Sequence, residues 1–336
     1  MSYKLVGIGT AGHVQIILGA LPQHPQVRLV ACAPSFPGED LGAYLAQPVA
    51  GQPPRVYADW RAMLAEESPE IVLVCGQYGL NGAIAIEAAR RGCHILSEKP
   101  AGQTLAEVAE LRRLLAEQGL HYGMLLPMRY EAPFYTARQV VAQGIIGEPC
   151  LITAQKSYRW GPSRPAWYAD RSRYGSTMTW VGIHAFDYAR WVAGVEYTEV
   201  YAQHANLAHP AYPGCQDVAT VIARLRNGGS ALFNLDYLRP AAAPTHGDDR
   251  LRIAGSQGVL EICDRGTRLH VLTAQEDVPA WPLVAPERTL LGDFLAALEN
   301  RGAPLIPVEE ALSISAFAIL AAQAADTGQV LRVPEP

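Results

Sequence analysis

A chain of 336 residues, 49% hydrophobic and 18% charged, has the make-up of an ordinary globular protein and enough length for one or two substantial cores, with two domains the better expectation. Its formal net charge of -5 and pI near 6.0 provide no basic surface of the kind that neutralises a phosphate backbone or an anionic membrane, so neither nucleic acid nor lipid is expected as a partner. Six cysteines (Cys32, Cys75, Cys93, Cys150, Cys215, Cys263) lie far apart without C-x-x-C or zinc spacing, which reads as reduced core thiols in a cytoplasmic protein with no metal site.

The first strand, Lys4 to Ile8, begins almost at Met1 and is needed in the fold, so it is not read as a signal peptide. Gly7-Ile8-Gly9-Thr10-Ala11-Gly12 follows at once and opens a helical segment at His13. Glycines there permit a tight turn and close backbone approach to a pyrophosphate at the helix N-terminus, so Gly7, Gly9, Thr10, Ala11 and Gly12 are candidate contacts for NAD or NADP. The plain alternative is a turn whose glycines only allow tight helix packing.

The second strand, Val27 to Cys32, runs into Ala33-Pro34-Ser35, where a ribose-binding carboxylate is expected about 20 residues past the glycine motif. None stands there, and no Arg or Lys is near to hold a 2′-phosphate. Ser35 either donates to the ribose or begins a loop, and the choice between NAD and NADP stays open with weak discrimination expected. From Pro34 to Pro54 the proline and glycine content breaks regularity and predicts a long loop with at most a short helix.

Ile71 to Val74, His94 to Leu96 and His121 to Leu125 continue the series of short, doubly apolar strands between helices, the pattern of a parallel sheet covered on both faces. Lys99, in Leu96-Ser97-Glu98-Lys99-Pro100, falls at a strand's carboxyl end, where open α/β sheets bind ligands. A lysine there could take the hydroxyl proton as hydride leaves an alcohol, though a surface pair with Glu98 explains the same residues. Thr104 to Gln118 is a helix with Leu105, Val108, Leu111, Leu114 and Leu115 on one stripe and a Thr104/Glu107 capping box.

After about Gly123 the grammar changes to strands joined by turns, at Cys150 to Arg159, Asp217 to Leu225 and Ser230 to Leu238, as in an antiparallel meander. Helices return at Gly182 to Val192, Leu290 to Glu299 and Glu309 to Ala325, the last apolar nearly all round and buried; its apolar core, Ala311 to Ala325, is shorter than the ~20 residues of a membrane span. The fold class is therefore an α/β Rossmann domain over 1–123 followed by an α+β domain with a large, mainly antiparallel sheet over 124–336. Asp217 to Leu225 reads as apolar on both faces apart from Thr220 and Arg224, which predicts an outer sheet face covered by another subunit in a homo-oligomer. In the helix at Gly182, His184 lies in the first turn, where the dipole favours neutral imidazole, and Asp187 at i, i+3 could orient it; a satisfied core histidine is the alternative.

Several of these segments together resemble the glucose-fructose oxidoreductase, inositol dehydrogenase and rhizopine-catabolism (Gfo/Idh/MocA) family. The resemblance rests on Glu98-Lys99-Pro100, Pro127-Met128-Arg129-Tyr130, Gly147-Glu148-Pro149, Gly182-Ile183-His184-Ala185-Phe186-Asp187, Gly255-Ser256-Gln257-Gly258 and Pro307-Val308-Glu309-Glu310-Ala311, in family order over essentially the whole chain. It implies a sugar- or polyol-handling NAD(P) enzyme with its active site between the domains, with Lys99 and His184 catalytic and Glu98 and Lys99 also near the cofactor. Cys75-Gly76-Gln77 is placed like the family loop that passes the cofactor, with Asn81 where a histidine is often found. Arg129, Trp160, Trp180, His184, Asp187 and His246 are the substrate-side candidates, although Trp160 and His246 fit ordinary loop roles equally well. Trp180 stands where members commonly carry an Asp; with one N–H and no basic site it cannot relay a proton, and it either stacks on a sugar ring or fills the pocket wall. Three functions follow: a polyol dehydrogenase or reductase, a glycosidase using bound NAD, or a non-catalytic sensor. Fold alone does not choose among them.

Overall fold

In the computed structural model, which describes residues 2–47, 53–161 and 164–334, the chain forms two compact units, Met1–Leu125 with Arg288–Ala316 and Leu126–Glu287 with Phe317–Pro336. The first break is close to the expected 123/124, but residues 288–316, expected in the second domain, belong to the first. Packing explains the return. The ring of Phe294, on the helix Leu290–Leu298, lies where a side chain on Gly123 would stand, and the Ser315 hydroxyl accepts from the Ala101 amide at 3.0 Å.

The first unit holds six strands: β1 (Tyr3–Ile8), β2 (Val27–Ala33), β3 (Arg55–Val56), β4 (Ile71–Val74), β5 (His94–Ser97) and β6 (Tyr122–Met124). All pair in parallel in the order β3-β2-β1-β4-β5-β6, the doubly wound arrangement in which ligands bind at the carboxyl ends where strand order reverses. Val, Ile and Leu runs bury β4 completely, as a strand covered on both faces requires. Register then aligns the functional segments. Ile8 lies opposite Val74 and Val74 opposite Ser97, so Gly9, Cys75 and Glu98 all leave the sheet at one edge. The helix Leu105–Gln118 starts with the predicted capping box, both reciprocal bonds being present between Thr104 and Glu107. Between Pro34 and Pro54 the described part includes a short helix, Gly42–Leu45, while residues 48–52 lie outside the described residues.

The second unit carries β7 (Pro149–Arg159), β8 (Tyr197–Ala205), β9 (Val218–Leu225), β10 (Ser230–Arg239), β11 (Gly247–Gly255), β12 (Gly258–Cys263), β13 (Arg268–Thr273), β14 (Asp277–Val278) and β15 (Leu331–Arg332), in the order β14-β13-β12-β11-β7-β10-β9-β8-β15. The meander reading needs one correction: β7 enters between β10 and β11 and runs parallel to β10, because the helical excursion after β7 separates it from β8. β9 alternates strictly, with Ala219, Val221, Ala223 and Leu225 buried and Thr220, Ile222 and Arg224 outward, so Thr220 and Arg224 are the polar exceptions on the outer face and Ile222 is the apolar residue between them.

The buried face is covered by the helix Ile183–Ala193, whose Phe186 meets Phe233 edge-on at 4.9 Å and Phe317 at 5.0 Å. Each such ring contributes about 1.5–3 kcal/mol by burial. Phe317 lies on the helix Val308–Thr327, which at 20 residues is longer than expected and is apolar and long enough to cross a membrane; 61% of its apolar window is buried inside the protein, as in a core helix. Cys32, Cys75, Cys93 and Cys215 are buried free thiols, but Cys150 is exposed on β7, so the core reading fails for it.

Candidate functional site

The carboxyl edge of the six-stranded sheet collects the predicted nucleotide residues. Gly9 turns the chain at φ +75, and a Cβ there would come within 2.5 Å of the Cys75 carbonyl oxygen and 2.6 Å of the Gly76 Cα, so only glycine lets the two loops touch. Ala11 N–H donates to the Cys75 carbonyl at 2.7 Å, Gly76 N–H to Asn81 Oδ1 at 2.9 Å and Gln77 N–H to Ser35 Oγ at 3.1 Å. Cys75 contributes its carbonyl, since burial first and Glu98 next push its thiol well above the ordinary range. The ends of β1, β2 and β4 are thereby tied into one surface.

A dinucleotide fits this edge. Gln77 Nε2 and Asn81 Nδ2 are buried donors that no protein group among the described residues accepts, and buried amides left so are costly without a ligand or water. The helix Val14–Ala20 opens at His13 with no side-chain cap of its own and no acidic residue in its first turn, and the Glu98 carboxylate is the anion that meets the His13 amide there. The residues that would hold the cofactor are thus Gly9 to Gly12, Gln77 and Asn81.

Two residues missed in the sequence complete the glycine turn. Tyr44, fully buried on the short helix Gly42–Leu45, donates its hydroxyl to the Gly9 carbonyl at 2.6 Å. Glu39 brings a carboxylate to this edge: Oε1 accepts from Thr10 N–H at 2.8 Å, and Oε2 accepts from the Ser35 amide at 2.7 Å and its hydroxyl at 2.8 Å. Glu39 lies four residues beyond Ser35, in a segment without periodicity to mark it.

Lys99 is 1% exposed, which removes the surface-pair reading, and its Nζ lies 3.3 Å from Glu98 Oε2 and 5.8 Å from the Tyr78 ring centroid. Oε1 of Glu98 accepts from both the amide and Nδ1 of His13, the latter at 2.7 Å. Burial drives the Glu98 carboxyl upward, but Lys99 and His13 outweigh it and hold it at about 2. Glu98 is therefore an ionised anchor that joins the glycine turn to the lysine. His13 was not foreseen as its partner.

In the second unit the predicted helix start is corrected. A π-helical turn, Met178–Gly182, runs directly into Ile183–Ala193, so His184 does not face a free helix N-terminus and the dipole argument for it lapses. Gly182 is required there, because a Cβ would meet Leu235 at 2.7 Å and the Phe186 ring at 2.8 Å. Trp180 and His184 are 5% and 2% exposed.

Asp187, expected to orient His184, is gripped by Arg129: Nε donates to Oδ2 at 3.0 Å and a terminal nitrogen to Oδ1 at 2.6 Å, with both residues essentially unexposed. The Arg129 guanidinium also lies 5.3 Å from the Trp191 ring centroid. Arg129 is thus held in a two-point ion pair with Asp187 within this unit.

Trp160 stacks on His209 at 3.9 Å, and Tyr168, Tyr212 and Tyr237 stand edge-on to it. His246 stacks on Tyr158 at 4.6 Å; partial burial, then Arg164, Arg159 and Lys156, lower its basicity. Lys156, which no motif marks, is 2% exposed and its ammonium meets Asp249 at 2.8 Å; burial opposes its charge, but Asp249 and Tyr158 raise its pKa. A groove of about 630 Å³ in this unit is lined by Gln203, His204, Thr220, Asn234, Asp236 and Arg239 and contains neither Trp180 nor His184. Among the described residues no three His, Cys, Asp or Glu side chains are grouped to hold a metal ion.

Residues 2–125 match the model of an oxidoreductase family with an NAD-binding Rossmann fold, and residues 134–261 match the GFO/IDH/MocA C-terminal domain. A solved Thermotoga maritima structure described as an oxidoreductase is 32% identical, with a TM-score of 0.91 over 98% of this chain and 100% of that one. The uncharacterized oxidoreductase YrbE of Bacillus subtilis is 28% identical over 65% of this chain, and the myo-inositol 2-dehydrogenase of Thermotoga maritima 27% over 61%. These alignments span 63% and 59% of the two relatives' own lengths. Fold and glycine turn together define a dinucleotide-binding protein of the oxidoreductase class. The chain belongs to the Gfo/Idh/MocA family.

Proposed function

We propose that the protein transfers a hydride between a nicotinamide cofactor and a hydroxyl-bearing carbon of a sugar, inositol or related polyol. The observation that carries this reading is Lys99, buried at the carboxyl end of β5 beside an ionised Glu98 that also holds the glycine turn through His13. When bound, the nicotinamide supplies or accepts the hydride. Lys99 holds the reacting hydroxyl by donation, with Glu98 as the balancing charge, and either Lys99 or His184 takes the hydroxyl proton. Trp180 packs on the apolar face of the substrate ring. The myo-inositol 2-dehydrogenase relative supports the polyol class.

In the same reading the protein is cytosolic, on the strength of its dispersed free thiols, and a second copy covers the outer sheet face, where Leu151, Ile222, Leu232 and Leu238 are exposed. Calorimetric titration of NAD and NADP tests the first requirement. Absence of binding by either nucleotide to folded wild type, or its survival in Gly9→Asp, would remove the basis of the proposal.

A further inference from the structure

We infer that Glu39, reaching back from the loop after β2, is the residue that selects NAD over NADP. This deepens the dinucleotide reading above and rests on it. Among residues 33–47 there is no Arg or Lys, so no side-chain cation of this segment answers a 2′-phosphate. The groups that would otherwise serve such a phosphate are the Thr10 amide, the Ser35 amide and the Ser35 hydroxyl. Glu39 occupies all three, at 2.8, 2.7 and 2.8 Å.

Those bonds fix the carboxylate between the first turn after β1 and the end of β2, the position where a Rossmann fold meets the adenosine ribose. A carboxylate offers about four acceptor positions. The Thr10 hydroxyl donates preferentially to the Asp40 carbonyl at 2.9 Å and reaches Glu39 Oε1 only at 3.4 Å, so Oε1 retains good acceptor capacity for a ribose hydroxyl. A 2′-phosphate brings the opposite result: it removes that hydroxyl donor and sets a dianion against a carboxylate. The device differs from an acid on the strand end, because here Ser35 serves as the seat for an acid delivered four residues later.

Calorimetric titration of NAD and NADP into wild type and Glu39→Gln reads the effect directly. Wild type is expected to bind NAD at least about 30-fold tighter than NADP, and Glu39→Gln to shrink that ratio by about 10-fold or more, the range set by one charge-assisted hydrogen bond. ADP-ribose and its 2′-phosphorylated form, titrated into wild type, place the discrimination at the adenosine end and need no variant. Equal affinity of wild type for the two dinucleotides or for the two fragments overturns the inference, as does an unchanged ratio in a folded Glu39→Gln protein. If neither dinucleotide binds, the dinucleotide reading itself fails, a result distinct from binding both equally.

Discussion

Lys99 and Arg129 are both buried cations facing a carboxylate, 1% and 0% exposed, yet the two pairs differ in kind. Lys99 meets its chain neighbour Glu98 at 3.3 Å, near the long end of hydrogen bonding, through a point charge on a flexible stem. Arg129 clamps Asp187, 58 residues away, with two bonds at 3.0 and 2.6 Å. An ammonium can turn toward a ligand with little loss, whereas a fork held at two points cannot without breaking both bonds. The first pair is therefore expected to serve chemistry and the second to hold His184's helix in place.

The widest separation between them is expected in turnover. Lys99→Ala should lower kcat by about 10²- to 10⁴-fold while nucleotide affinity changes by less than about threefold, read by steady-state kinetics beside calorimetry. Equal loss of nucleotide binding would move Lys99 from the substrate to the cofactor.

Asp187→Ala should act on stability, because it leaves the buried guanidinium of Arg129 unbalanced; a loss of about 3–5 kcal/mol is expected in urea denaturation. The double change Arg129→Met with Asp187→Leu should recover most of it. A stable Asp187→Ala protein without activity would place the pair in the reactive site and break the distinction drawn above.

Acid separates the regions more gently. Glu98 titrates near 4.5 in the unfolded chain and at about 2 in the folded one, so its stabilisation is complete above about pH 4.5 and disappears as pH falls toward 2. Its share is on the order of 3 kcal/mol. Denaturation of wild type and Glu98→Gln across that window should show the pH dependence reduced in the variant; parallel curves would mean that Glu98 is not the depressed group. The smallest effect belongs to Thr104→Ala, which removes a cap on the helix Leu105–Gln118 and should cost about 1 kcal/mol without touching turnover.

What was readable in the sequence follows the same line between local and distant. The glycine turn, Glu98-Lys99 and the Thr104 capping box depend on neighbours a few residues apart, and each stands where its motif predicts. Glu39 and Tyr44 come from a segment with no periodicity, and only its fold back onto Thr10, Ser35 and Gly9 gives them a role. Arg129 was reached through its motif, but nothing in a one-dimensional pattern tells that it pairs with Asp187. Residues 288–316 were assigned by position along the chain, whereas Phe294 and Ser315 assign them by packing to the first unit. The π turn before His184 likewise has no sequence period to announce it.

The central claim is that Lys99 and His184 serve hydride chemistry on a hydroxyl-bearing carbon, and stopped-flow absorbance of the nicotinamide with a panel of sugars and inositols tests it most directly. The account predicts a nucleotide absorbance change with at least one polyol, slowed about 10²-fold or more in both Lys99→Ala and His184→Ala. A ligand that binds the nucleotide-loaded protein but never changes that absorbance, with no glycoside cleaved, would contradict it and make the protein a sensor.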